Sequence, residues 1–377
     1  MPLALRYLLP GQMKFMAQNG FEVWMVSADG NIREELMQAE GCPHVIVPMT
    51  RKITPLQDLY CLVKLIILFA RIRPHIVHTH TPKAGLLGML AAKICFVKIR
   101  IHTVAGLPLM VEKGFKLKLL RFIEKLTYAA ANQVWPNSAS LYQFIADEKL
   151  CATHKLKVIG KGSSNGVDTG RFNRAGIAAQ ELEQLKKDLN YNPAFTYLLF
   201  VGRMVHDKGI EELVTAFQKL QPLHPNLRLI LAGPFEKNLD PLPAAIEQAI
   251  ETHEAILHIG WTDKVEHLMA LAHYFVFPSH REGFPNVLLQ AAVMQLPIIC
   301  SNIPGNRDIV THHSTGIIFE KGNALLLESA ISHALNHREA SLQMSEALYR
   351  FVSENFQRNI FWQNVLRNYQ TLLSKEK

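Results

Sequence analysis

Cysteine is scarce and widely spread in this 377-residue sequence. Its five cysteines, at positions 42, 61, 95, 151 and 300, form no Cys-x-x-Cys pair. An odd, scattered set argues against a disulfide framework and against a cysteine zinc site. We therefore expect a protein of the reducing cytoplasm.

Long hydrophobic runs and low-complexity tracts are also missing. The most apolar run, 62–70, contains Lys64, is followed by Arg71 and has about half the length that a bilayer span needs. Hydrophobic residues make up 49% and charged residues 19% of the sequence, which is typical of a folded globular protein. The length favours two domains.

Acidic residues are few in the first half of the chain. Residues 1–165 hold 21 Lys and Arg against 10 Asp and Glu, whereas residues 166–377 hold 19 against 22. The basic half indicates an acidic partner: nucleic acid, an anionic membrane or a phosphorylated substrate. A merely solvated basic surface is the alternative. Nucleic acid is disfavoured, because no recognised binding module or interleaved aromatic stripe is present.

Apolar strand-like runs alternate with helical patterns along the whole chain, which predicts parallel sheets covered by helices. A first series of predicted strands comprises 22–26, 75–78, 99–102, 133–135 and 156–159. A second series comprises 197–201, 227–232, 256–259, 274–278 and 297–300. Two series predict two doubly wound α/β domains, whose default binding site is the cleft between them.

The domain boundary is predicted at the glycine- and serine-rich segment 160–166. We therefore expect an N-terminal domain over 1–165, a C-terminal domain over 166–358 and a separate terminal helix over 359–377. The chain opens on a helix-like segment, so the first strand of the N-terminal domain is apparently missing. Either the start codon is misassigned or the domain is shortened.

Two loops of the second series carry candidate chemistry. After the strand at 197–201 come Gly202, Arg203, Lys208 and Gly209, where two cations near a helix start can meet a diphosphate. After the strand at 274–278 comes Glu282, before an apolar helix. That carboxylate can accept hydrogen bonds from sugar hydroxyls or steady positive charge at an anomeric carbon. The alternatives are that Arg203 and Lys208 are ordinary solvent-exposed charges and that Glu282 only caps a helix.

The order and spacing of these motifs resemble the family-four retaining glycosyltransferases of the GT-B fold. The likeness rests on Gly-Arg-x4-Lys-Gly at 202–209, Pro-Ser-x2-Glu-Gly-Phe-Pro at 278–285 and Pro-x-Ile-x-Ser-x-Ile-Pro-Gly-x-x-Asp at 297–308. Bacterial enzymes of capsule, O-antigen and exopolysaccharide assembly are the most similar type. The resemblance implies two Rossmann-like domains that face a cleft, and a final helix that returns to the first domain.

The resemblance implies roles for single residues. Arg203 and Lys208 would neutralise the donor diphosphate, and Glu282 would contact the donor sugar. The remaining donor-binding positions lie in the loop and helix start that follow Glu282: Gly283, Phe284, Pro285, Asn286, Val287 and Leu288, the last three through their amides.

Two further positions follow from the same resemblance. Gln290 stands where the family has a second glutamate for the ribose, so charge assistance is lost there. His102 matches a histidine near the donor sugar and acceptor, which makes it a fourth candidate catalytic residue beside Glu282, Arg203 and Lys208. The motif around it runs to Pro108.

A metal site is not expected. No Asp-x-Asp sequence occurs, which disfavours the metal-dependent donor site of the other glycosyltransferase fold. His78 and His80 share a strand face, but a third ligand is not evident, so a structural or cleft-wall role is favoured over metal binding. The resemblance thus implies a metal-independent enzyme without a cofactor.

The basic amphipathic segment 113–125 can lie on an anionic membrane or beside a lipid diphosphate. An ordinary packed helix with exposed lysines is the alternative.

Together with the resemblance, these features predict a retaining transferase, peripheral at the inner leaflet of the cytoplasmic membrane. It would move a hexosyl or N-acetylhexosaminyl group from a UDP- or GDP-sugar to a polyprenyl-diphosphate-linked glycan. A nucleotide-sugar epimerase of the same fold and a silent nucleotide-sugar-binding subunit remain the alternatives.

Overall fold

The computed structural model describes residues 2–50, 52–107, 109, 114–236 and 240–376, and it divides into two compact units. Unit 1 comprises Met1–Gly166 and Arg358–Lys377, and unit 2 comprises Val167–Gln357. Each division point lies one residue from the boundary predicted from the sequence. Unit 1 is therefore built from two separate stretches of chain, and unit 2 from one.

Unit 1 has parallel strands and eight helices of described bounds. Its strands are β1 (Met25–Ser27), β2 (His44–Ile46), β3 (Ile76–Thr79), β4 (Ile99–Val104) and β5 (Gln133–Pro136). Its helices are α1 (Pro2–Leu8), α2 (Gln12–Gln18), α3 (Arg33–Glu40), α4 (Pro55–Ile72), α5 (Pro82–Ile94), α6 (Gly114–Ala130), α7 (Ala139–Asp147) and, after unit 2, α16 (Arg358–Ser374).

The strands of unit 1 form two separate sheets, β1-β2 and β3-β4-β5. A cavity of about 1020 Å³ is lined by both β1 and β3, together with residues of α4 and α16. Within the described residues no strand precedes β1, and the chain enters unit 1 through α1 and α2.

The terminal helix α16 is an integral part of unit 1. Its buried residues Phe361, Val365, Leu366 and Tyr369 join a core cluster that includes Ile101 of β4. Tyr369 Oη lies 2.5 Å from His78 Nδ1 on β3, so the helix is also tied to the sheet by a buried hydrogen bond. The predicted return of this helix to the first domain is what the structure shows.

Unit 2 is a single six-stranded parallel sheet flanked by helices. Its strands are β6 (Thr196–Val201), β7 (Leu227–Ala232), β8 (Ile256–Gly260), β9 (Tyr274–Phe277), β10 (Ile298–Ser301) and β11 (Ile317–Phe319). Its helices are α8 (Ala179–Asp188), α9 (Ile210–Leu220), α10 (Ala244–Thr252), α11 (Val265–Leu271), α12 (Asn286–Val293), α13 (Pro304–Arg307), α14 (Ala324–Asn336) and α15 (Arg338–Asn355).

The strand order of this sheet is β11-β10-β9-β6-β7-β8. The strands read as near-continuous apolar runs because helices cover both faces of the sheet. In β9, for example, all four residues are buried. From β6 the chain first builds outward through β7 and β8, then returns to the other side of β6 with β9. The sheet therefore has a topological switch point between β6 and β9.

One expected strand is absent, and two observed strands were not expected. The segment 156–159 forms no strand, because only Leu156 bridges to Val134 before Gly160 turns the chain with a φ of 59°. The three-residue strands β2 and β11 were not predicted at all. Among the residues that the structure describes, no helix has the length and apolarity to cross a membrane.

Candidate active site

The carboxyl ends of β6 and β9 bring two predicted site residues into contact. Lys208 lies in the loop after β6, and Glu282 lies in the loop after β9. Lys208 Nζ and Glu282 Oε1 form an ion pair in which each side chain is 17% exposed. In open α/β sheets, ligands bind outside the carboxyl ends of the strands at the switch point, and this pair marks that position.

A close backbone approach fixes the position of Lys208. Lys208 ends a short 3-10 turn, His206–Lys208, and is followed by Gly209 with a φ of 70°. A Cβ atom at Gly209 would lie 2.3 Å from the carbonyl oxygen of Pro278, which follows β9. Only glycine fits there, because both the left-handed φ and the contact exclude a side chain. The Lys-Gly pair in the motif thus has a structural cause.

A polar network at the carboxyl ends of β9 and β10 positions the Glu282 side chain. Ser279 Oγ lies 3.0 Å from the same Oε1 that Lys208 contacts. Ser279 is fully buried and its carbonyl oxygen accepts a hydrogen bond from Ser301 Oγ. Asn306 Nδ2 in turn donates to the Ser301 carbonyl oxygen at 2.9 Å. Glu282 Oε2 takes part in none of these contacts.

The backbone of the Glu282 loop is packed against α13. A Cβ atom at Gly305 would lie 2.8 Å from the carbonyl oxygens of both Glu282 and Gly283. The glycine of the third sequence motif is therefore needed so that α13 can approach the loop that carries Glu282. Two motifs that are separate in the sequence thus meet at one point.

Arg203 lies at the same sheet edge but is paired elsewhere. Its Nη1 contacts Glu236 Oε2, which follows β7, at 2.5 Å, and the arginine side chain is 48% exposed. Arg281, next to Glu282, forms an ion pair with Asp207, next to Lys208. The structure therefore brings Lys208 and Glu282 together directly, and it pairs Arg203, in the same loop as Lys208, with an acidic residue after β7.

The loop from Gly283 to Pro285 leads into α12 through a buried aromatic residue. Phe284 is 8% exposed and its ring centroid lies 5.5 Å from that of Phe356 in unit 2. Pro285 is the residue before the first turn of α12. The ring of Phe284 therefore anchors the loop, and its backbone is the part that can face a ligand.

The first turn of α12 provides backbone amides near Glu282. Asn286 and Val287 are partly exposed, whereas Leu288 is fully buried and its amide donates to the Pro285 carbonyl oxygen at 3.0 Å. The Leu288 amide can donate to an anion only if it shares its proton between the anion and the Pro285 carbonyl oxygen. Gln290, one turn further along, is partly exposed on the same helix. The positive end of the helix dipole favours an anion at this turn.

A histidine beside Glu282 carries a perturbed pKa. His280 Nε2 lies 2.8 Å from Glu212 Oε1 on α9, and this hydrogen bond raises the pKa of His280 above its ordinary value. The pair links the loop after β9 to the first turn of α9. Sequence reasoning missed it, because nothing in the spacing of residues 212 and 280 indicates contact.

His102 lies in the interior of unit 1. The ring is 2% exposed, its Nδ1 lies 2.8 Å from Thr79 Oγ1, and a Cβ atom at Gly85 would be 2.4 Å from its Cε1. Burial lowers the pKa of His102 to about 4, so the imidazole is neutral at physiological pH. The ring is thus enclosed between Thr79 and Gly85, and the sugar or acceptor contact that the resemblance implied for His102 stays a prediction.

His78 and His80 also have structural surroundings. His78 lies between Tyr369 Oη and Thr103 Oγ1, the latter 2.7 Å from its Nε2, and the His80 ring centroid is 4.1 Å from that of His78. Burial lowers the pKa of both imidazoles, that of His80 to about 3. In the described part of the chain no group of three His, Cys, Asp or Glu side chains could hold a metal ion. Pro108 and Lys113, which the sequence motifs include, lie outside the described residues.

The polar network under Glu282 is the main feature that sequence reasoning missed. Ser279 and Ser301 stand inside two of the motifs, so their recurrence in those patterns was the available signal. Asn306 had no such signal, because its contact with Ser301 depends on the short helix α13. These residues position the carboxylate without facing a ligand themselves.

Two family models match the chain in succession. The model described as glycosyl transferase 4-like matches residues 5–138, and the model described as glycosyl transferases group 1 matches residues 182–351. The second match contains every predicted site residue of unit 2.

Individual relatives show the same likeness. The capsular polysaccharide biosynthesis glycosyltransferase CapM of Staphylococcus aureus is 33% identical, over 98% of this chain and 95% of its own length. An Escherichia coli UDP-Gal:alpha-D-GlcNAc-diphosphoundecaprenol alpha-1,3-galactosyltransferase is 27% identical, over 82% of this chain and 79% of its own. The crystal structure of Anabaena Alr3699/HepE in complex with UDP and glucose superposes with a TM-score of 0.80 at 17% identity, covering 98% of this chain and 96% of that one.

Proposed function

The chain belongs to the group 1 glycosyltransferases, and from this premise we propose that it moves a sugar from a nucleoside diphosphate sugar to a lipid-linked glycan during surface polysaccharide assembly. Its fold is GT-B, with two Rossmann-like units. The observation that carries the proposal is the Lys208–Glu282 pair at the switch point of unit 2, beside the first turn of α12.

The donor diphosphate would lie where positive charge and amides converge. Lys208 is a flexible point charge, and Arg203 offers a forked contact to phosphate oxygens. Val287 and Asn286 add the positive end of α12. As the bond from the anomeric carbon to the diphosphate breaks, negative charge grows on the leaving oxygen, and these groups stabilise it. To bind phosphate, Lys208 and Arg203 would exchange their carboxylate partners for the ligand.

Glu282 would hold the donor sugar. Its Oε1 accepts a hydrogen bond from Ser279 Oγ, which positions the carboxylate after Lys208 has moved to the phosphate, and Oε2 can accept from a sugar hydroxyl. The proposed reaction retains the anomeric configuration: the acceptor hydroxyl attacks from the face that the diphosphate leaves. The hydroxyl proton passes to the departing diphosphate oxygen, so no protein nucleophile is required.

The proposed acceptor is a glycan on a polyprenyl diphosphate, bound by unit 1 at the inner face of the membrane. Support comes from the name of the E. coli relative, which acts on a diphosphoundecaprenol-linked sugar, and from the basic character of the first half of this chain. Support for a uridine donor comes from the UDP held by the Anabaena protein. UDP and GDP are the two candidate nucleotides.

Calorimetric titration with UDP and with GDP tests the donor site. We expect one of them to bind, and Lys208→Ala and Arg203→Ala to weaken that binding on the order of tenfold or more, because each removes a charge-assisted hydrogen bond to phosphate. Lys264→Ala is the matched control, since Lys264 is an exposed unit 2 lysine paired with Glu181. Binding that all three variants retain would place the nucleotide elsewhere.

Nucleotide release from UDP-sugar, with and without a lipid-linked acceptor, tests the reaction. Release that requires the acceptor supports a transferase. Isomerisation of the donor without acceptor would instead show an epimerase, and binding without turnover would show a silent subunit. Gln290→Glu belongs to the same series: if it does not tighten nucleotide binding, residue 290 does not contact the ribose.

A further inference from the structure

Helix α4 has an apolar stripe on each of two faces. One stripe, with Cys61, Leu65 and Phe69, is buried in the core of unit 1. The other is exposed and consists of five large side chains at helical spacing, between 47% and 86% exposed: Leu56, Leu59, Tyr60, Val63 and Ile67. A helix on the surface of a soluble domain needs only the first of these stripes.

The exposed stripe is a concentrated feature. Of the 17 large hydrophobic side chains exposed in the described residues, six fall between Ile53 and Ile67. Single exposed apolar residues are ordinary, but a contiguous group marks an interaction surface. We call residues 53, 56, 59, 60, 63 and 67 the α4 stripe.

Cations outnumber acids in the segment that carries the α4 stripe. Residues 52–73 hold four Lys and Arg and a single acidic residue, Asp58. Asp58 is ion-paired with Lys83 at 2.7 Å, so its charge is neutralised locally. Lys64 Nζ lies 4.9 Å from the centre of the Tyr60 ring, so its stem lies along the stripe. Apolar side chains framed by cations fit an anionic lipid surface.

Helix α6 has an exposed face of the same basic and apolar character. Helix α5 packs against both α4 and α6. On α6 the exposed residues include Phe115, Lys118, Phe122 and Lys125, which follow one another at helical spacing. Aromatic side chains alternate with lysines along that face, as in helices that lie at a membrane interface. The membrane segment predicted from sequence was α6 alone, and α4 carries the larger apolar surface.

We propose that the α4 stripe inserts into the headgroup region of an anionic bilayer and so docks unit 1 on the membrane. A second copy of this chain is the less suitable occupant, since it would bring like charge against like charge. The proposal deepens the proposed function by naming the surface that holds the enzyme near a lipid-linked acceptor.

Co-sedimentation with lipid vesicles tests the proposal without donor or acceptor. We expect the protein to bind vesicles of phosphatidylcholine with phosphatidylglycerol, to bind pure phosphatidylcholine vesicles less, and to be released by added salt. The double variant Leu56→Gln, Ile67→Gln should bind on the order of tenfold more weakly or worse, because two apolar side chains no longer enter the bilayer. The matched control is Leu223→Gln, Leu325→Gln in unit 2, whose side chains are 72% and 63% exposed.

Two results would overturn the proposal: a wild-type protein that does not sediment with anionic vesicles, or an α4 variant that binds them as the control does. Gel filtration adds a third. A wild-type dimer that the α4 variant dissociates, without vesicle binding, would assign the stripe to a second copy. Circular dichroism melting of each variant shows that its fold is intact. Vesicle binding by a protein that binds no nucleotide would refute the proposed function and leave the docking surface in place.

Discussion

Single residues at the edge of the unit 2 sheet neutralise one another in the absence of a ligand. Lys208 contacts Glu282, Arg203 contacts Glu236, and Arg281 contacts Asp207. A diphosphate would therefore compete with carboxylates for these cations. If a diphosphate replaces each carboxylate, every cation keeps an anionic partner. This matters because an unpaired charge in a partly buried site is costly.

The His280–Glu212 pair makes a pH-dependent contribution to stability. Because the hydrogen bond raises the folded pKa of His280, the pair stabilises fully below about pH 6.5, the unfolded value. That contribution is lost as the pH rises through the higher folded pKa. We expect His280→Gln to lower the free energy of unfolding by about 1 kcal/mol at acidic pH, with partial screening by solvent. The difference should disappear in alkaline solution.

Urea unfolding at a series of pH values measures this difference. His154→Gln is the control, because it changes an exposed histidine in unit 1, away from this pair. An equal loss for His280→Gln at all pH values would show that the side chain acts by packing and not by its charge.

The sequence could predict where the candidate donor-site residues lie but not which contacts hold them. Arg203, Lys208 and Glu282 follow strands in recognisable motifs, so their place at the sheet edge could be expected. The contacts of Glu282 with Ser279, and of Gly305 with the Glu282 backbone, join segments whose distance in space no local pattern encodes. His102 shows the same limit: its motif could be recognised, but the close approach of Gly85, whose missing side chain leaves room for the ring, could not.

At the scale of helices and strands, the start of α9 depends on one glycine. Gly209 combines a left-handed backbone with a contact to Pro278 that leaves no room for a Cβ atom. Gly260, at the end of β8, has the same φ of 70°, but a Cβ atom there would meet nothing within 4 Å. Substitution of Gly260 would therefore introduce backbone strain alone, whereas substitution of Gly209 would introduce both backbone strain and a steric clash.

We expect Gly260→Ala to cost about 1 kcal/mol of unit 2 stability, through the left-handed backbone alone. Gly209→Ala should cost about 1–3 kcal/mol more, because the loops after β6 and β9 must move apart. The same movement should weaken nucleotide binding in Gly209→Ala only. Chemical denaturation and UDP titration of both variants check this, and equal losses would show that the contact with Pro278 relaxes freely.

Elements with long apolar runs were predictable, and short ones were not. Strands β6, β7 and β9 are buried on both faces, so each is a continuous apolar run that can be recognised in the sequence. Strands β2 and β11 have three residues each, too few for a period to show. At 156–159 the pattern was apolar, but only Leu156 bridges to Val134 of β5, and Gly160 turns the chain directly after the segment.

At the scale of the whole molecule, unit 2 is one continuous segment of the chain, whereas unit 1 is built from two separate segments. Unit 2 contains its own core within Val167–Gln357, whereas unit 1 needs α16 to cover Ile99, Ile101 and Trp135. The chain passes between the units twice, at Gly166 and at Gln357.

We expect residues 167–357, expressed alone, to fold cooperatively and to bind the nucleotide. Residues 1–166 alone should lack a cooperative thermal transition, because the apolar surface under α16 would be exposed. A chain in which a flexible linker joins residue 166 directly to residues 358–377 should recover it. Circular dichroism melting of the three proteins decides, and a cooperative transition in 1–166 alone would contradict the role assigned to α16.

The late position of α16 also sets an order of events during translation. Ribosomes add about 5–20 residues per second, so the last 20 residues follow residue 166 by roughly 10–40 s. Unit 2 can close as soon as its segment has emerged, while unit 1, synthesised first, waits for the end of the chain with the binding surface for α16 uncovered. A nascent chain of this protein therefore completes unit 2 before unit 1, and termination before α16 would damage the unit that was synthesised first.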